Sequence, residues 1–324
     1  MLEGPARQGD GRQPPLSGEN LVIATPAALG AAIAFSVSSV LQQRSARDAP
    51  ENESLSWRLI ADLLRRGPWL AGMGCVLIAY ALQALALAFG PVALVEPLIA
   101  TELLFAVPLA SRLRHQRLGR REWFGAAAVS GGVAVFLVVS SPEGGNAEPA
   151  LARWAVVALP ALVAAAIAIA AARGPESPRR AALLAAAAGL SFGLLALVTQ
   201  SFVVLLARSP GTAFSSWQPY VLAVVGIVGF TVAQSAYQAA PLAVSLPIID
   251  SVEPVTSVLF AALIFKQSLS ISVGSLAGEV AGALLTIAGV VALARSPLIL
   301  AVLARQERAD RADHRARPGK ASRR

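Results

Sequence analysis

One cysteine, Cys75, stands among the 324 residues. A disulfide within the chain is therefore excluded, and a metal site built on cysteine has no second ligand of its kind. Histidine is nearly as scarce. His115 and His314 both lie in basic, polar stretches, which suits solvated loop residues rather than ligands. No nucleophile–histidine pair, His-rich metal motif or phosphate-binding glycine loop is found, so the chain does not read as an enzyme and implies no cofactor. Charge is sparse, at 14% of residues, and Lys and Arg are missing from the interior of every long apolar run. Strand-like alternation of apolar and polar residues is also missing, which argues against a membrane barrel. The first 20 residues are polar and rich in Pro and Gly, and the apolar run after them is too long for the core of a cleavable signal peptide.

What the chain has instead is apolar length. Hydrophobic residues make up 56% of it, with a mean hydropathy of +0.63. A run of about 18–20 apolar residues crosses the ~30 Å hydrocarbon core as a helix. Nine such runs lie at about 21–43, 68–89, 91–113, 122–140, 151–172, 181–207, 217–238, 241–265 and 274–294. The expected fold is an all-α membrane protein of about nine transmembrane helices. Residues 1–20 and about 305–324 lack apolar content and are expected to be disordered.

The basic residues sort by side. Of 27 Lys and Arg, 22 fall after spans 1, 3 and 5 or in the tail beginning at Arg295, leaving only Arg7, Arg12, Arg153, Arg208 and Lys266 on the alternate side. Lys and Arg enrichment marks cytoplasmic loops. The asymmetry fits an odd number of spans, the N-terminus outside and the C-terminus in the cytoplasm, as in a bacterial inner-membrane protein. The net charge of +8 then reads as an orientation signal and not as a nucleic-acid surface. Lipid bilayer is the expected surrounding.

Residues 84–118 and 235–269 align at an offset of 151: Glu102 meets Glu253, Val107 meets Val258, Ala110 meets Ala261 and Leu118 meets Leu269. Each segment begins at a tight turn, Gly90-Pro91 or Ala240-Pro241, and each is followed by a Gly-rich span ending in Ser-Pro. A weaker match sets Gln42 beside Gln200 at the ends of spans 1 and 6. The offset moves span 3 onto span 8, so the second copy crosses in the opposite sense. Inverted repeats of this kind recur in secondary transporters, whose site lies near the bilayer midplane on interrupted helices. The halves would be 21–172 and 181–296, followed by a basic cytoplasmic tail over 297–324.

Glu102 and Glu253 each lie roughly 16–18 Å from the start of their spans, near the bilayer centre. A charged acid there costs at least about 2.5–3.5 kcal/mol, so it is expected to turn inward and to be protonated, cation-bound, hydrated or hydrogen-bonded. Gln42, Gln43, Gln83, Gln200, Gln234, Gln238, Tyr80, Tyr237, Thr101, Thr199 and Ser257 are the candidate partners. Asp250, Glu253 and Ser257 share one helix face. Glu96 faces elsewhere, and Glu279 is expected to bond a neighbouring helix. Pro97 and Pro254 each remove one backbone hydrogen bond, which predicts helix breaks whose freed carbonyls could bind a cation. Trp57, Trp69, Trp123, Trp154 and Trp217 lie near span ends and read as interfacial anchors.

The stretches VEPLIATELLFAVPLASRLRHQRLGRREWFGAAAVSGGVAVFL and DSVEPVTSVLFAALIFKQSLS resemble the drug/metabolite transporter superfamily in its EamA-like part. The Gln42-Gln43-Arg44 end of span 1 and the nine-span count look more like the NIPA-type magnesium-transporter branch. The resemblance covers about residues 21–296. It implies two inverted halves around a central site opened alternately to either side, and a small metabolite, cation or, in the NIPA branch, Mg²⁺ as cargo. The superfamily's usual tenth span is reduced here to PLILAVLA (297–304), which favours the NIPA-like branch or a homodimer that completes the bundle. The usual Gly-Glu-Arg ending of span 8 is Lys266-Gln267-Ser268 here. The expectation is a secondary transporter of a small polar or cationic solute with Glu102 and Glu253 as working acids, or as Mg²⁺ ligands in the magnesium reading. A membrane scaffold that transports nothing is the alternative.

Overall fold

The computed structural model describes residues 18–50, 53–89, 92–113, 115, 117–140, 150–173, 177–265 and 273–296. Both tails, the Gly90-Pro91 turn, the Lys266-Gln267-Ser268 ending and the short apolar segment 297–304 lie outside them. Helices account for nearly all of the described residues, and no strand occurs among these. In lipid a backbone cannot turn to water, and a helix satisfies its amides and carbonyls within one segment.

Twelve helices follow in chain order: α1 (Gly18–Arg47), α2 (Trp57–Leu63), α3 (Gly67–Phe89), α4 (Val92–Ile99), α5 (Glu102–Leu113), α6 (Arg120–Val139), α7 (Leu151–Ala171), α8 (Pro178–Arg208), α9 (Pro210–Ser215), α10 (Gln218–Ala239), α11 (Leu242–Phe265) and α12 (Val273–Ala294). Eight of them are long and apolar enough to cross a membrane: α1, α3, α6, α7, α8, α10, α11 and α12. The chain is a multi-pass helical membrane protein. Leu77, Val156, Ile167, Ile227 and Leu284 stay mostly exposed on the bundle, as lipid-facing side chains should. The predicted spans match these helices to within a few residues, with two exceptions. The short helices α2 and α9 lie in connections read as loops, and the run 91–113 is not one helix but two, α4 and α5, separated at Ala100-Thr101.

Contacts between helix ends fix which ends share a side. Gln43, near the end of α1, donates to the carbonyls of Tyr237 and Ala240 at the end of α10. Arg180, at the start of α8, donates to Ser54, which follows α1. At the other end, Arg153 at the start of α7 donates to the carbonyl of Ile264 near the end of α11. Trp154 packs edge-on against Trp217, the residue before α10, and Ser140, after α6, donates to Glu279 early in α12.

The helices α6 and α12 cross closely. A Cβ built on Gly132 would meet the Gly282 carbonyl at 2.6 Å, and one on Gly282 would meet the Gly132 carbonyl at 2.8 Å. Each glycine admits the other's backbone, the usual reason for small residues between membrane helices. Two of the five tryptophans depart from the interfacial reading. Trp69 and Trp154 are 3% and 5% exposed, because a polar partner for one and a second indole for the other lie inside the bundle.

Candidate functional site

The break between α4 and α5 falls directly before Glu102, which becomes the first residue of α5. Pro97 lies inside α4 and cannot donate back to Ala93. Two residues after α4 ends, the chain tightens: Thr101 donates its amide to Leu98, and Leu104 donates to Thr101. The Thr101 hydroxyl also donates to the Leu98 carbonyl at 2.6 Å. A helix start leaves amides unpaired and carries partial positive charge, so the interruption sets an acid where the backbone favours one.

Pro254 behaves differently. The helix α11 runs without interruption from Leu242 to Phe265 through both Pro247 and Pro254, so the break predicted at Pro254 does not occur. Hydroxyl groups bond to carbonyls along this stretch: Ser251 to Pro247, Thr256 to Val252 and Glu253, and Ser257 to Pro254. Ser257 therefore donates its proton within its own helix, and the predicted donation to an acid is not seen.

Three acids and a phenol gather between α5, α10 and α11. Glu102 lies within electrostatic range of Glu253 and of Asp250, and the Tyr237 hydroxyl within range of all three. Ser39 on α1 is a near neighbour of both the Glu102 carboxyl and the Tyr237 hydroxyl. Ser36, one turn earlier, lies 2.7 Å from the carbonyl of Glu102 and 2.7 Å from that of Ala32, and its hydroxyl serves either. Glu102 is 8% exposed and Tyr237 7%. The Asp250 Oδ2 atom is enclosed with no hydrogen-bond partner among the described residues. Glu253 is bordered by α8, where a Cβ on Gly193 would meet the Glu253 carbonyl at 3.0 Å. Among the described residues no group of three or more His, Cys, Asp or Glu is gathered closely enough to hold a metal ion.

The glutamines form a separate layer. Gln234 donates to Gln42 at 2.6 Å, Gln42 donates to Ser38, and the Trp69 indole donates to Gln234 at 3.3 Å. Gln238 donates to the carbonyls of Ala49 and Pro50. Together with Gln43 these ties stitch the end of α1 to the end of α10. Gln42 thus meets Gln234. Gln200 sits exposed near the far end of α8, about 33 Å along that helix from Pro178 at 1.5 Å per residue, so one site cannot use both Gln42 and Gln200. Tyr80 is 59% exposed, with its ring edge against Phe35, which places it on the outer surface. Gln83 is half-buried one turn along the same helix. Reading the sequence missed Ser36, Ser39 and Trp69. A serine periodicity on α1 facing the acids was the available signal.

No family model matches the chain, and no solved structure matches it. It is similar to an uncharacterised protein of Corynebacterium glutamicum, 29% identical over 245 residues, which are 75% of this chain and 85% of that protein.

Proposed function

We propose that the chain is a secondary transporter that moves a small polar or cationic solute across the membrane by alternating access, with Glu102, Glu253 and Asp250 as its working acids. The observation that carries this reading is the placement of Glu102 at a helix interruption, within electrostatic range of two acids of α11. Intramembrane acids are costly and usually mark a solute or ion path. Interrupted helices at this depth are a recurrent device of transporter sites. No Lys or Arg lies in the interior of these helices, so the charge to be balanced is a proton or a cation. Glu102 then trades its proton for the solute, with Ser39 and Tyr237 as its polar neighbours.

The end contacts support nine crossings. The start of α3 lies with the ends of α1 and α10, through Trp69 and Gln234, and α3 leaves toward the far end. The end of α6 meets the start of α12, while Gly125, early in α6, abuts Leu293, late in α12. For α6 to begin at the α1-end, α4 and α5 must together traverse the bilayer. Under that count the basic segments after α1, α5 and α7 share one side, taken as cytoplasmic. The two halves are read as inverted repeats and the chain as a drug/metabolite-type transporter of the bacterial inner membrane.

The test is uptake and efflux in sealed vesicles across a solute panel that includes Mg²⁺. Wild type should move at least one compound, and Glu102→Gln should abolish that movement while Glu279→Gln, whose carboxylate accepts from Ser140, leaves it largely intact. Transport of Mg²⁺ alone would select the magnesium branch. Equal transport by wild type and Glu102→Gln for every moved compound would remove the acid from the mechanism, and no transport at all would favour the scaffold reading.

A further inference from the structure

A cavity of about 510 Å³ opens away from the acids, at the end of the bundle where α7 ends and α8 begins. Among the described residues its lining is Leu55, Ala166, Ile169, Ala170, Ala172, Arg173 and Arg180, five apolar side chains and two guanidinium groups. Its walls are pinned. The Leu55 amide donates to Ser235 of α10 at 2.9 Å, and Arg180 Nη2 donates to Ser54 at 2.8 Å. Ala166 and Ile169 belong to a stripe of α7 that continues through Leu162 and Leu159, 40% and 60% exposed, and Arg173 follows just after the helix ends. From Leu159 to Ile169 this stripe runs about 15 Å at 1.5 Å per residue, half of the ~30 Å hydrocarbon core and so about the depth of one leaflet's acyl chains.

We propose that this cavity binds an anionic phospholipid, its phosphodiester between Arg173 and Arg180 and one acyl chain along the outer stripe of α7. Arginine suits a phosphate because its planar fork of donors matches the oxygens in pairs. Basic pockets between helices on the cytoplasmic side are where anionic headgroups dock. The chain's own basic tail is an unsuitable occupant, since it would set arginines against arginines. The inference requires only that this end of the bundle lie at the headgroup level. It is independent of what the bundle transports.

The test uses the full chain in detergent, with lipid adducts counted by native mass spectrometry. Phosphatidylglycerol and phosphatidylcholine of equal chain length are compared, with and without excess inorganic phosphate. Phosphatidylglycerol should be retained at least tenfold more strongly than phosphatidylcholine. Arg173→Gln should erase that preference. Ala170→Trp, which fills the cavity and keeps both charges, should weaken retention of the lipid altogether. Both variants should melt with wild type when lipid is absent, because both positions are exposed. Equal retention of the two lipids, or retention of phosphatidylglycerol undiminished in both variants, would overturn the proposal. Complete displacement by inorganic phosphate would also overturn it and reassign the cavity to a free anion.

Discussion

The polar side chains inside this bundle divide into a group that can change charge and a group that cannot. The glutamine layer belongs to the second: Gln234 is fully buried and serves Gln42 and Trp69 at once. Gln234→Leu strands both partners, and a buried polar group left without its bond costs about 1–3 kcal/mol. The variant should therefore melt well below wild type in detergent. Adding Gln42→Leu removes one stranded group, so the double variant should lose less stability than the two single losses combined. A strictly additive double variant would show that the bond between the glutamines contributes nothing. At this scale the sequence announced Glu102 and Glu253 by their depth alone, because few residue types are so costly there. It did not announce Ser36 and Ser39. Serine is common in Ala- and Gly-rich helices, and the partner of Ser36 is 66 positions away.

Helix boundaries were legible wherever apolar length decided them, and less so where proline did. Proline removes one bond and crowds one carbonyl, but whether the helix parts depends on what satisfies the freed groups. The helix α11 keeps its course through Pro254, with hydroxyls of Ser251, Thr256 and Ser257 bonded along its backbone. After Pro97 the chain parts instead, at Thr101. The crossing of α6 and α12 gives a second case at this scale. The Cβ of Gly132→Ala would stand 2.6 Å from the Gly282 carbonyl and 2.6 Å from the Thr286 amide, both backbone atoms that cannot rotate away. Overpacking of this kind costs about 1–3 kcal/mol, and the variant should show a lowered melting temperature. Gly74→Ala in α3 meets nothing within 4 Å. There the better helix propensity of alanine should raise stability by up to about 1 kcal/mol. If both variants shifted equally, the glycines of α6 and α12 would owe nothing to close approach.

Taken whole, the molecule turns on whether α4 and α5 cross the bilayer, because that crossing decides the side of everything after it. With eight crossings, the Arg65 and Arg179 segments would lie on opposite sides of the membrane. The tie from Arg180 to Ser54, and the cavity that Leu55 shares with Arg173 and Arg180, set the two segments at one end of the bundle, which favours the nine-crossing reading. Neither constraint can be read from the sequence, whose basic segments suggest a side without linking any two of them in space. Both Arg65 and Arg179 are exposed, as is Arg208 at the far end of α8. In a Cys75→Ala background, Arg65→Cys and Arg179→Cys should both be shielded from a membrane-impermeant maleimide added to intact cells, and both should react once the cells are opened. Arg208→Cys should react from outside. If Arg65→Cys and Arg179→Cys differed from each other, α4 and α5 would form a re-entrant hairpin. The nine-crossing count would then fail, and with it the inverted pairing of α5 with α11, which needs an odd number of crossings between them.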